Sequence, residues 1–384
     1  MNRLFLRTNI IEEMERARYL KTLFPRPIPI EVSSLADRCN RILDENIDFL
    51  SVLLNELDQR PENGDLRDLF RAYRDVYRVV ELVEYYGIPA LQFRSADSNF
   101  LNRLLYKIQT EINLPFLAPC VACFSNRYYW IEGRTNVLFM PVGEASSLLH
   151  LPDIFHELGH ATLFNKENDN RLQKIKSTYQ DIVDVITSHY ENEITQKSGR
   201  TMPKKVPEIL RHLHWQWKSK WLDEFFSDLF ACYTLGPAYV WAHLHLVAKM
   251  SHDVYLFEPV PIPQTHPSDD SRMKMLHIAL EMNRFKKEGN EIMDVWSSMP
   301  FVSSTTPIPE YKYAYPEELM KKIALLTLEG MKNSGFEIIT PEILGKMNSS
   351  NIRKILNNSW MEFWKNSNYF EWEKDILKEL KSTI

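Results

Sequence analysis

Phe155-His156-Glu157-Leu158-Gly159-His160 sets two histidines four residues apart with a glutamate between them. Two histidines four apart on a helix lie about 40° apart around its axis, one turn above the other. Their imidazoles can therefore both reach one tetrahedral ion at about 2.0–2.1 Å. Glu157 projects beside such an ion without binding it, where a carboxylate can take a proton from water. The neighbours Ile154, Phe155, Leu158, Ala161, Leu163 and Phe164 wrap this polar trio in apolar side chains, so the helix is predicted to be buried nearly all round. Two histidines and a glutamate inside such a helix are costly unless paired or metal-bound.

Catalytic zinc usually takes three protein ligands and keeps a position for water. Trp221-Leu222-Asp223-Glu224-Phe225-Phe226-Ser227-Asp228-Leu229-Phe230 offers candidates for the third ligand. Glu224 and Asp228 share one face of a helix crowded with Phe and Leu, where two bare carboxylates would repel. They become compatible if Glu224 binds the ion and Asp228 accepts the outer ring N–H of a ligand histidine. Asp223 is the rival ligand. Further on, Thr265-His266-Pro267-Ser268-Asp269-Asp270-Ser271-Arg272 places His266 in extended backbone before a proline. Ser268 or Asp269 can cap the helix that follows. At this junction His266 can polarise a carbonyl or hold an oxyanion, and Arg272 can anchor the loop or a nearby carboxylate.

The rest of the chain frames this segment. Its 384 residues, 44% apolar and 25% charged, suit a globular protein with a large core. Residues 1–113 read as helical: Leu50, Leu53, Leu54 and Leu57 recur at helical spacing, as do Leu69, Tyr73, Val76, Tyr77 and Val80. Gly87 and Pro89 are expected to end the second of these helices, and a third runs from Ser95 or Asp97 to about Ile112. Residues 128–142 have the texture of a hairpin, with Tyr128–Ile131 facing Asn136–Val142. Pro141 marks the second strand as an edge strand or a strand end. Leu229–Met250, broken by Gly236-Pro237, reads as two buried helices. Proline-rich residues 253–267 and 298–316 read as loops, and a basic loop surrounds Lys204-Lys205. The expected architecture is mostly α with a small β-sheet (α+β). It divides into a helical region at 1–113, a catalytic domain at 114–297 and a helical region at 298–384.

A net charge of −5 without a basic stripe argues against nucleic acid as partner. No run of about 18 apolar residues suggests membrane insertion, and the first residues lack the apolar core of a signal peptide. Four cysteines are too few for a disulfide scaffold at this length, so reduced thiols in the cytoplasm are expected. Cys120-Val121-Ala122-Cys123 lacks the second pair that a structural zinc would need. His243 and His245, two apart, read as core or surface residues.

The order His-Glu-Leu-Gly-His, a later Glu-x-x-x-Asp, then Thr-His-Pro-Ser and an arginine resembles the gluzincin peptidases. Within them it is similar to the family of CAAX prenyl proteases, heat-shock membrane proteases and soluble minigluzincins, here without the membrane helices. The resemblance covers roughly residues 135–280. It implies a zincin-like domain with zinc on His156, His160 and Glu224, Glu157 as base, Asp228 behind the ligands, and His266 with Arg272 supporting the site. It also implies that the strand before the metal helix is an edge strand that pairs with an extended peptide, Val137 and Phe139 lying along it. The expected activity is hydrolysis of peptide or protein substrates by zinc-activated water. Metal-dependent cleavage of a non-protein amide, or a regulatory protein that keeps the zinc fold, are the other classes. The intact Glu157 argues against the last.

Overall fold

The computed structural model describes residues 3–62, 64–125, 128–197, 205–251, 253–257, 264–300 and 305–384. Lys204, Pro259, Pro261, Pro263, Ser303 and Ser304, all in expected loops, lie outside the described residues. The chain is mostly helical with one small sheet. It divides into two compact units: Met1–Leu105 with Leu117–Ala145, and Tyr106–Phe116 with Ser146–Ile384. The expected borders at 113/114 and 297/298 are therefore not the borders of the packed units. The sheet belongs with the N-terminal helices, and residues 298–384 belong with the segment that carries the histidines.

In the first unit, α1 (Arg3–Thr22), α2 (Ser33–Gln59) and α3 (Arg67–Leu82) pack through helical stripes. Leu6, Ile10 and Ala17 of α1 are buried together with Leu43, Leu50, Leu53 and Leu57 of α2 and Leu69, Tyr73, Val76 and Val80 of α3. Gly87 does not end α3. The helix widens into a π-helical turn over Val83–Gly87 and continues as α4 (Ile88–Gln92), with Pro89 in its first turn, where no N–H is needed. Gly87 is required for another reason: a Cβ there would sit 2.6 Å from Cys39 Sγ. Next, α5 (Ala96–Glu111), which belongs to this unit up to Leu105, opens on Ser95, whose hydroxyl accepts from the Ser98 N–H.

The hairpin forms as β2 (Trp130–Glu132) and β3 (Val137–Phe139), antiparallel, with Trp130 opposite Phe139 and Glu132 opposite Val137. β1 (Cys120–Ala122) runs parallel to β3 on its other side, so the order is β1-β3-β2. This overturns the reading of Val137 and Phe139 as an edge strand for substrate. β3 is the middle strand, its backbone groups are taken by both neighbours, and its three side chains are buried. A peptide has no free ladder to join there.

In the second unit, α9 (Leu222–Leu235) is central. All its residues except Asp223 and Glu224 are buried, the signature of a helix surrounded on every side. It packs against α6 (Asp153–Phe164), α10 (Pro237–Met250), α11 (Asp269–Met282) and the helix Glu317–Asn333. α7 (Asn170–Lys197) and α8 (Lys205–Gln216) precede it, and α8 reaches α9 through a π-helical turn at Trp217–Trp221. The break between α9 and α10 falls at Gly236, whose φ of 88° suits glycine, followed by Pro237 in the first turn. Among the described residues, no helix is long and apolar enough to cross a membrane.

Candidate metal centre

α6 and α9 cross where Gly159 meets Ser227. A Cβ on Gly159 would lie 2.7 Å from Ser227 Cα, so only glycine permits this approach. The contact brings the histidine face of α6 against the acidic start of α9. Ile154, Phe155, Leu158 and Ala161 are buried as expected, whereas Phe164, at the end of α6, is 46% exposed.

Three donor atoms converge there. His156 Nε2 and His160 Nε2 are 3.1 Å apart, and Glu224 lies 3.6 Å from the first and 3.4 Å from the second. A tetrahedral ion with bonds of about 2.0–2.1 Å separates its ligand atoms by about 3.3 Å. The observed spacings bracket that value. Among the described residues, His156, His160 and Glu224 form the one group with metal-holding geometry, so Cys120 and Cys123 belong to none.

The surroundings fix the chemistry of these donors. His156 Nδ1 is 3.0 Å from Asp228 Oδ1 and 3.1 Å from the Tyr239 hydroxyl. Tyr239 donates its proton to Asp228. Arg272 clamps the same carboxylate through Nε at 2.8 Å and Nη2 at 2.6 Å, and its Nη1 reaches Glu224 at 3.8 Å. With its Nδ1 proton directed to Asp228, His156 turns Nε2 toward His160 and Glu224. A proton or a cation is needed among these atoms, whose lone pairs otherwise repel.

The proton affinities carry the same message. Burial alone would depress His156, but hydrogen bonds to Asp228 and Glu224 outweigh it and raise its pKa to about 10. Burial would raise Asp228; the Arg272 guanidinium overrides it and holds the carboxyl well below its usual range. Glu224 is likewise kept ionised against its burial by the two histidines. Glu157 goes the other way: it is 6% exposed, burial raises its pKa, and the histidines only partly offset this. The two carboxyl groups are thus shifted in opposite directions, Glu224 toward the anion and Glu157 toward the protonated form.

Asp223, the rival ligand, is not in the cluster; it accepts a 2.5 Å bond from the Tyr179 hydroxyl. His266 is exposed and reaches Glu224 at 3.7 Å, its Nδ1 2.9 Å from Thr265 Oγ1. Ser268 caps α11 by accepting from the Ser271 N–H, and Tyr311 and Tyr315 hold it in turn, which fixes the loop carrying His266. Tyr239 was not singled out in the sequence. The available signal was its place in the first turn after Gly236-Pro237, on a helix folded back over α9. His243, one turn further on, is buried, and its pKa is lowered to about 3 by burial first and then by Arg272. Comparison with protein-family models, curated proteins and solved structures returned no significant match to this chain.

Proposed function

We propose that the second unit is a zincin-like hydrolase domain and that the chain is a zinc-dependent peptidase of the cytoplasm. The observation that carries this reading is the near-tetrahedral spacing of two imidazole nitrogens and one carboxylate, with the buried Glu157 between the two histidines on α6. Two imidazoles and a carboxylate are a donor set suited to zinc. Four free cysteines, three of them buried, support a reducing compartment.

An ion held by His156, His160 and Glu224 would supply Lewis acidity, polarising the scissile carbonyl and lowering the pKa of water. Glu157 takes the proton of the attacking water on its carboxylate, then passes it to the leaving nitrogen. Its raised pKa suits both halves of that exchange. His266, exposed beside Glu224, donates an N–H to the carbonyl oxygen as charge builds there. Asp228 and Arg272 keep His156 and Glu224 oriented throughout.

A second reading is cleavage of a non-protein amide at the same centre. A comparison of wild type with Glu157→Gln in a cell lysate, recording newly created protein N-termini, tests the proposal. New termini with wild type alone establish the peptidase. Equal termini, with turnover of small amides by wild type only, establish the amidase instead.

A further inference from the structure

We infer that Tyr239 is a positioning residue of the metal centre, holding His156 together with Asp228. The inference needs the metal reading but not the peptidase reading. The Tyr239 side chain is buried, 1% exposed, and its hydroxyl stands between two members of the site. It donates to Asp228 Oδ1 and lies 3.1 Å from His156 Nδ1. A phenol has one proton. With that proton directed to Asp228, the hydroxyl turns a lone pair toward His156. Nδ1 therefore faces two acceptors, the phenol oxygen and Asp228 Oδ1 at 3.0 Å. Only an N–H satisfies both, so Nε2, on the side of His160 and Glu224, is the nitrogen that gives up its proton to a bound ion.

The ring adds a second constraint. Tyr239 lies nearly parallel to His156, 16° between planes at 6.1 Å, on a helix whose start is set by the Gly236-Pro237 break. Asp228 Oδ1 cannot do this work alone, because it also takes the Arg272 Nη2 proton at 2.6 Å. Without the phenol oxygen, His156 shares one crowded acceptor with a guanidinium and its ring is freer to turn. Partners behind a metal-bound histidine typically govern metal affinity by about 10- to 100-fold.

The experiment uses the full chain, with zinc affinity measured by chelator competition. Tyr239→Phe keeps the ring and removes the oxygen. Expected are a 10- to 100-fold weaker zinc affinity by the same reasoning, an unchanged thermal midpoint of the metal-free protein, and altered visible absorption bands of the cobalt-substituted form. In an Asp228→Asn background, Tyr239→Phe should add less than about a two-fold change, because the two act as a unit. Equal zinc affinity of wild type and Tyr239→Phe, or full additivity with Asp228→Asn, overturns the assignment. Nitrogen-15 spectra of the zinc-loaded wild type read the tautomer directly even if the variants fold poorly. A proton on Nδ1 of His156 supports the role, and any other tautomer overturns it. A wild-type chain that takes up no zinc removes the centre and this role together. Zinc-binding wild type with no cleavage of any peptide leaves the role intact and removes only the peptidase.

Discussion

Gly159→Ala is a one-methyl test of how the site is assembled. The added Cβ would meet Ser227 Cα at 2.7 Å, Cβ at 3.0 Å and Oγ at 3.1 Å. Carbon atoms rest at about 3.5–4.0 Å, so α6 and α9 must separate locally by about 1 Å. The same crossing sets the gap between His160 and Glu224, now 3.4 Å. A shift of that size takes the gap to roughly 4.4 Å, against about 3.3 Å around a tetrahedral ion, and metal–ligand distances tolerate only about 0.2 Å. Zinc affinity should therefore fall at least about 100-fold, beyond the upper range for changes behind the ligands. Overpacking should also cost about 1–3 kcal/mol, lowering the midpoint by roughly 3–10 °C. Gly345→Ala is the control, since a Cβ there meets nothing within 4 Å. It should match or slightly exceed wild-type stability and bind zinc normally. Chelator competition and thermal melts read both quantities. Wild-type affinity in Gly159→Ala would refute the claim that the helix crossing sets the ligand spacing.

Glu157→Gln should keep zinc and lose about 10²- to 10⁴-fold in turnover, measured as single-turnover hydrolysis with metal content checked in the same sample. Glu224→Ala should lose zinc on dialysis, whereas Asp223→Ala should retain it, because Asp223 is held by Tyr179 outside the donor cluster. Metal-free protein should lose stability in alkali. His156 carries a proton up to about 10 when folded and only to about 6.5 in the unfolded chain. That stabilisation is complete below about 6.5 and disappears as pH rises through about 10, while zinc affinity climbs over the same interval as the proton becomes easier to displace. Asp228, depressed by Arg272, gives the opposite limb: its contribution is present above the ordinary carboxylate value and lost in acid. Urea titrations from pH 3 to 10, with and without chelator, would check both limbs.

The parts of the site that share a helix were legible in the sequence. His156 and His160 are one turn apart on α6, and Glu224 and Asp228 one turn apart on α9. Spacing fixes such pairs regardless of the rest of the fold. Arg272 and His266 followed from a proline and a capping serine that mark the start of α11. Tyr239 was hidden because its approach to Asp228 depends on how α10 folds back after Gly236. The choice between Glu224 and Asp223 turned on a hydroxyl from α7, far off in sequence. β3 was misread for a similar reason: its hairpin partner is adjacent in the chain, but its parallel neighbour Cys120–Ala122 is a three-residue strand in a segment that reads as a cysteine motif. Pairing on one side was visible, and pairing on the other was not. The unit borders differ for the same cause, since the helix Glu317–Asn333 packs on α9 and α11 without a sequence signal of that contact.

Anomalous diffraction at the zinc edge, from crystals of the wild-type chain grown with zinc, would show whether one ion is held by His156, His160 and Glu224. A single peak is expected about 2.0–2.1 Å from His156 Nε2, His160 Nε2 and a Glu224 oxygen. No peak among these three residues, or one bound without Glu224, would rule out this metal centre.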